Sequence, residues 1–373
     1  MVFDSIQTPT LLLDQDRCMR NIRCITKKTK HQSITLRPHF KTHQSHEIGR
    51  WFRSEGVDQI TVSSIGMAKY FQADHWDDIT IAFPTNLRQL EDIKSLSAHI
   101  RLGLVAVDAH TIEVLGKGVH HPVSIWIKID VGTHRTGVSP DETDRLDQMV
   151  SQLGKYEQIH FAGFLAHAGH SYRSASTADV QKSYSDAVEI LSKLKERYLP
   201  AFPGLKTSLG DTPGVSIVND LRGVDELRPG NFVFYDLMQV GIGSCRMEDI
   251  AVAMACPVVA VHPNRYQWII YGGGIHFSKD FLSLPDGRAC FGRMVSPQGE
   301  GWSTSDVSEL PYLASLSQEH GVVQCTKENF HLHNSGDLSL WLPVHSCLTA
   351  DVMGEYLSLE GKWIDHYRKR VFK

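Results

Sequence analysis

The 373 residues carry 42% hydrophobic and 21% charged side chains, enough apolar material for a sizeable core and for two domains. A net charge of −4 leaves no basic footprint for nucleic acid or an anionic membrane surface, and AVAMACPVVAV (251–261) is too short, and too broken by its proline, to span a bilayer. Seven cysteines without a spacing pattern argue against a disulfide framework and for a reducing, cytoplasmic setting. The opening MVFDSIQTPT lacks a basic stretch followed by an apolar run, so no secretory signal is expected. Twenty histidines are the compositional oddity and point to metal or proton chemistry.

In chain order, short β-rich runs alternate with amphipathic stretches. Strands are predicted at TLLLD (10–14), SITLRPH (33–39), QITVSS (59–64), DITIAFP (78–84), RLGLVAVD (101–108), VSIWIKID (123–130), FAGFLAH (161–167), LKTSLG (205–210) and FVFYD (232–236). Helices are predicted between them at 18–30, 65–74, 87–98 and 180–198. This alternation predicts βαβ units and a parallel sheet closed into a (β/α)8 TIM-type barrel over 10–246. Beyond Arg246 the runs become short, β-type and separated by Gly, Pro, Asn and Asp. A mostly antiparallel β domain is therefore expected over 247–373, joined by residues 1–9, and the first dozen residues are candidates to pair with it.

Barrel enzymes keep their chemistry at the C-terminal ends of the strands. Lys41 ends one such run in LRPHFKTH; desolvated, its amine could form a Schiff base, whereas the plain alternative is a solvated surface lysine. Arg37, His39 and His43 are neighbours that could push that amine towards neutrality. DVGTHRTGV (130–138) sets Arg135 between glycines, suited to a phenolate or carboxylate, although an ordinary βα turn reads the same way. The turns at Gly210–Asp211–Thr212 and Gly230–Asn231 could cradle a phosphate with backbone N–H groups. His345 and Cys347, at i and i+2 on a predicted strand, would share one face and could bind one Zn²⁺ while leaving its shell open. Trp126, Phe164 and Trp341 read as core.

Taken together, TPTLLLD, RPHFKTH, DVGTHRTGV, HAGHSY, GDTPG, ELRPGNFVFYDLMQVGIGSC, SQEHG and LPVHSC resemble, in order and over almost the whole chain, the D-serine dehydratase and D-threonine aldolase family. These are pyridoxal-phosphate (PLP) enzymes with an alanine-racemase-like barrel (fold type III) and a C-terminal β domain. The resemblance implies that Lys41 is the Schiff-base lysine and catalytic base. It also implies cofactor contacts from Arg135, His167, Tyr172, Gly210, Asp211, Thr212, Gly230 and Asn231. His345 and Cys347 are implied to hold a divalent metal, zinc first, with manganese or magnesium as alternatives. Where the family commonly shows G-S-T-P, this chain has Gly210-Asp211-Thr212-Pro213, and a carboxylate facing a phosphate is unfavourable. The expected activity is dehydration of a small-molecule D-3-hydroxy amino acid such as D-serine, D-threonine or D-threo-3-hydroxyaspartate to an oxo acid and ammonia, since NFVFYDLMQVGIGSC and SQEHG look more like the dehydratases. D-threonine aldolase is the alternative. An amino-acid racemase is more distant because it has no use for the His345–Cys347 pair, and a non-catalytic PLP carrier is disfavoured on the same ground. A cytoplasmic homodimer without nucleic-acid or membrane partners is expected.

Overall fold

The computed structural model describes residues 2–305 and 307–367, so residues 368–373 of the expected C-terminal domain lie outside the described part. The chain opens with β1 (Thr10–Leu13) and α1 (Gln15–His31), then runs through eight short strands: β2 (Thr35–Leu36), β3 (Ile60–Val62), β4 (Asp78–Pro84), β5 (Arg101–Ala106), β6 (Val123–Ile129), β7 (Ile159–Ala166), β8 (Lys206–Leu209) and β9 (Glu226–Leu227). The helices α2 (His46–Ser54), α3 (Ile65–Ala73), α4 (Leu90–Ser97), α5 (Ala109–Gly118), α6 (Thr143–Leu153), α7 (Thr177–Tyr198) and α8 (Thr212–Ile217) alternate with these strands. By compactness the molecule divides into two units. Of the described residues, one holds Arg23–Lys41 and Gly49–Gly230; the other holds residues 2–22, Thr42–Ile48, 231–305 and 307–367.

In the first unit β2 to β9 form one wholly parallel sheet in which β9 returns to pair with β2. A parallel bridge between His39 and Thr61 joins the continuation of β2 to β3 and completes the ring. The expected barrel is therefore the fold observed. Its strands are covered on both faces, which explains why VSIWIKI reads as one apolar run with a single lysine in it. α7 starts at Ser176, whose hydroxyl accepts from Asp179 N, and it buries Val180, Tyr184, Ala187, Leu191, Leu194 and Tyr198 at helical spacing. Trp126 and Phe164 are core, as the alternation predicted.

One strand assignment needs correcting. FVFYD is not the last barrel strand; β9 is. Pro229 and Gly230 interrupt the chain after Leu227, and residues 231–233 form a 3-10 turn in which the N–H groups of Phe234 and Tyr235 return to Asn231 O. Phe232, Val233, Phe234 and Tyr235 are all buried, and a short apolar run signals burial without fixing strand or turn.

The second unit continues with α9 (Leu237–Ile242), β10 (Val252–His262), β11 (Gln267–Tyr271), α10 (Gly274–Phe277), β12 (Leu282–Ser283), β13 (Ala289–Cys290), β14 (Gly292–Gln298), β15 (Gly301–Ser303), β16 (Tyr312–Leu316), β17 (His320–Gln324), β18 (Leu338–Pro343), α11 (Ser346–Met353), β19 (Tyr356–Ser358) and β20 (Trp363–Ile364). Its main sheet runs β11-β17-β16-β14-β18-β10-β1-β19-β20. It is antiparallel apart from the β1–β19 pair, as the Gly/Pro/Asn-punctuated sequence predicted. β1 lies antiparallel to β10, with Thr10 opposite Ala255, so the first strand belongs to this sheet. Trp268, Trp341 and Tyr356 fill its core.

Candidate functional site

In the barrel unit, Lys41 sits just past the His39–Thr61 bridge, on the exposed side of a tightly anchored turn. Its neighbour Phe40 is the anchor. The Phe40 N–H donates to Thr61 O at 2.9 Å, and its ring packs on Phe52, Phe71 and Trp76 with centroids 5.0–5.2 Å away. A buried aromatic next to an exposed lysine fixes where the amine can reach, a signal the sequence offered and the titratable residues overshadowed.

Two of the three proposed cationic neighbours of Lys41 do not act as such. Arg37 is buried and ion-paired to Glu226 and Asp78, so its charge is neutralised inside the barrel. His43 is buried, and that burial, with the nearby His366, lowers its pKa to about 3, leaving the ring neutral.

The other barrel residues converge at the ends of β6, β7 and β8. His167 follows β7, its Nδ1 hydrogen-bonded to Gly210 O at the end of β8. Burial, then the ammonium groups of Lys128 and Lys41, hold its pKa well below the usual histidine value. The 130–138 loop folds back through Val138 N to Lys128 O and Asp130 N to Val138 O. At Gly137, with φ +128°, a Cβ would lie 2.7 Å from Asp130 N, so only glycine fits that return. The loop leaves Arg135 exposed and near enough to Lys128 and His167 to depress both. Thr133 Oγ1 donates to His167 O and accepts from Gly169 N, tying the β6 and β7 loops together.

Asp211, Thr212 and Gly230 form one turn system. Asp211 is the N-cap of α8. Its Oδ2 accepts from Gly214 N at 2.7 Å and Ser171 Oγ at 2.8 Å, and burial raises its pKa to about 6. The carboxylate is thus committed to the helix start, which answers why an acid is tolerated in this turn. Thr212 N donates to the Tyr172 hydroxyl at 3.2 Å, and Thr212 Oγ1 accepts from Gly230 N at 3.3 Å. The His170 Nδ1 atom is buried without a hydrogen-bond partner among the described residues, 3.8 Å from where a Cβ on Gly132 would sit.

Beneath these loops are two groups that sequence reasoning missed. Lys128 is buried near the end of β6, and burial together with the charges of Arg228 and Arg135 lowers its pKa to about 7. Arg228 donates through Nε to Ser208 Oγ at 2.7 Å and through Nη2 to Ala166 O, locking the ends of β7 and β8. Its side chain lies against Gly210, where any Cβ would come within 3.2 Å of it. Lys128 was hidden within an apolar strand run, and Arg228 opens the RPGNF turn, of which only Gly230 and Asn231 were singled out.

The second unit gathers Thr42, Asn231, Asp236, Asp280, His345, Ser346 and Cys347. Here the strand geometry expected for His345 and Cys347 is wrong. β18 ends at Pro343, His345 is the N-cap of α11 with extended φ −133° and ψ 95°, and Cys347 lies in the first turn of that helix. The helix start, rather than strand alternation, brings the two side chains together, and they hydrogen-bond to each other. Burial alone would lower the His345 pKa, but the hydrogen bond and charge of Cys347, with Asp236 and Asp280, raise it to about 10. Burial likewise opposes the Cys347 thiolate, but His345 and the Thr42 hydroxyl outweigh it and lower the thiol pKa. Thr42 Oγ1 lies 3.3 Å from the sulfur, and Asn231 Nδ2 donates to it at 3.5 Å. A thiolate beside an imidazole is the donor chemistry that suits zinc. Among the described residues no three His, Cys, Asp or Glu side chains converge as a metal cage, so the pair would leave most of the coordination shell to other ligands. The Asn231 side chain donates to Asp236, Ser346 and Cys347, and its Oδ1 is buried without a hydrogen-bond partner among the described residues.

Comparison with known proteins agrees with this layout. Residues 13–237 match the family described as alanine racemase, N-terminal domain, and residues 251–359 match a serine dehydratase domain. The chain is 28% identical to a D-serine dehydratase of Dictyostelium discoideum across 95% of this chain and 93% of that protein. The solved D-threo-3-hydroxyaspartate dehydratase from Delftia sp. HT23 superposes with a TM-score of 0.88, at 26% identity over 99% of both chains. A D-threonine aldolase of Arthrobacter sp. is 23% identical over 62% of each chain.

Proposed function

The chain belongs to the alanine racemase N-terminal domain family, and from that membership and the site geometry we propose that it is a PLP- and metal-dependent lyase that dehydrates D-3-hydroxy amino acids. The observation that carries the reading is that the start of α11 brings the His345 ring and the Cys347 sulfur together, a nitrogen and sulfur donor pair that removal and return of one α-proton does not need. Dehydratase is preferred to aldolase because in sequence the D-serine dehydratase relative is 28% identical over 95% of the chain, whereas the D-threonine aldolase relative is 23% identical over 62% of it.

The residues present fit both groups. For PLP the barrel offers the Lys41 amine, the His167 ring held on Gly210, Arg135, and the Gly210–Thr212 turn tied to Tyr172 and Gly230. For the metal, His345 and Cys347 supply one nitrogen and one sulfur. Bound through Lys41, the cofactor supplies a sink for negative charge at the substrate Cα. A divalent metal supplies a Lewis acid for the β-hydroxyl. The chain's own work is then to position and to move a proton. Freed when the substrate amine takes its place, the Lys41 amine would take the proton from Cα and return it to the β-hydroxyl, which leaves as water; the enamine so formed gains a proton at Cβ, and hydrolysis of the resulting imine gives the oxo acid and ammonia. The His167 ring, neutral through burial, packs without adding charge. Asp211 keeps its carboxylate on the helix start, so the phosphate turn presents only neutral groups.

We further propose zinc as the metal, and a cytoplasmic homodimer. All seven cysteines are free thiols, which supports the reducing compartment, and no described helix is long and apolar enough to cross a membrane. Exposed Ile275, Phe281, Leu348 and Val352 in the second unit support self-association.

Ammonia release from D-serine and L-serine tests the activity. The wild-type protein with PLP and Zn²⁺ is expected to release ammonia from the D enantiomer only. Lys41→Ala is expected to lose the visible cofactor band and at least about a thousandfold in rate. Equal activity of Lys41→Ala would overturn the assignment.

A further inference from the structure

We propose that Asp280 is a positioning residue that holds the His345 ring so that Nε2, and not Nδ1, faces the metal; this rests on the metal reading above. Asp280 Oδ2 lies 2.5 Å from His345 Nδ1. In the neutral ring that contact places the proton on Nδ1, donated to the carboxylate, and leaves the Nε2 lone pair for a cation. Asp280 is not a third ligand in this arrangement, since no three acidic, histidine or cysteine groups converge among the described residues.

The chain is shaped to deliver that carboxylate. α10 ends at Phe277, whose carbonyl accepts from Thr349 Oγ1 at 2.9 Å, fastening the segment before Asp280 onto α11 one turn from His345. Ser278 follows with φ 71° and ψ −176°, a backbone region that side-chain-bearing residues rarely occupy. Its hydroxyl then accepts from Asp280 N at 3.3 Å. A strained residue held by bonds on both sides, two positions before the carboxylate, is the kind of local cost that persists where orientation matters. The other face of the pair is set independently by Asp236, Asn231 and Thr42, which touch Ser346 and Cys347.

The test is Zn²⁺ affinity of the full chain by chelator competition, read without any activity assay, for wild type, Asp280→Asn, Asp280→Ala and His345→Ala. His345→Ala is expected to lose binding almost completely. Asp280→Ala is expected to weaken it about 10- to 100-fold, and Asp280→Asn only a few-fold, because the amide oxygen still accepts from Nδ1–H. Co²⁺-loaded Asp280→Ala should keep its thiolate-to-cobalt absorption, and the metal-free variants should melt with the wild type. Unchanged affinity in Asp280→Ala alongside lost binding in His345→Ala sinks the positioning role alone. A loss in Asp280→Asn as large as in His345→Ala makes Asp280 a ligand and also overturns it. Wild-type affinity in His345→Ala removes the metal reading, and the proposal with it.

Discussion

Each unit opens a six-residue helix at a buried aspartate, and the two aspartates behave differently. Asp211 caps α8 and Asp236 caps α9, and in both the carboxylate accepts the backbone N–H three residues on. Among the described residues Asp211 has one further donor, Ser171 Oγ, and its Oδ1 is buried without a hydrogen bond. Asp236 receives Gln239 N at 2.9 Å, Asn231 Nδ2 at 2.6 Å, Ser346 N at 3.0 Å and Ser346 Oγ at 3.2 Å. Burial raises both pKa values, so the same local motif becomes a titratable cap in one place and a joint between α9 and α11 in the other. The number of donors, rather than the cap itself, decides which role the carboxylate takes.

Removing each carboxylate should expose that difference. Asp236→Ala leaves several buried donors unpaired at about 1–3 kcal/mol each, and should cost about 4 kcal/mol in urea unfolding, together with the His345–Cys347 geometry. Asp211→Ala loses a cap and one hydroxyl contact and should cost about 1–2 kcal/mol, partly offset by removing a costly buried charge. Equal losses would mean that the two networks are equivalent after all.

A smaller effect follows from pH. Asp211 has a native pKa of about 6 against an ordinary 3.8, so the native state binds more protons between those values. The stability this group contributes is complete below about pH 4 and is lost as pH rises through 6, a swing of up to about 3 kcal/mol. Asp211→Asn keeps an acceptor for the cap and cannot titrate. Its stability relative to wild type should therefore rise between pH 4 and 7, measured by urea midpoints at each pH. Parallel pH profiles would show that the carboxylate does not titrate in this window.

The same contrast explains what was legible in the sequence. Barrel strands buried on both faces announce themselves as apolar runs, and the polar positions at their ends follow from the fold's geometry, so Lys41, Arg135, His167 and the GDTPG turn could be singled out as candidates by inspection. FVFYD carries the same apolar signal but makes a turn, because Pro229 and Gly230 stop the ladder, and Asp236 was hidden at its end. His345 and Cys347 were legible as donors but not as a helix start: the prediction extended the strand of LSLWLP past Pro343. Asp280, Thr42, Lys128 and Arg228 depend on contacts with residues distant in sequence, and no local spacing encodes those. His43 and Arg37 were visible, yet their charge state depends on burial and on Glu226 and Asp78, which only the fold supplies.

The most direct measurement of the proposed chemistry is the product ratio from D-threonine with the PLP- and Zn²⁺-loaded protein. Dehydration predicts 2-oxobutanoate and ammonia in equal amounts, with little glycine. Glycine and acetaldehyde without oxo acid would contradict it and place the chain with the aldolases.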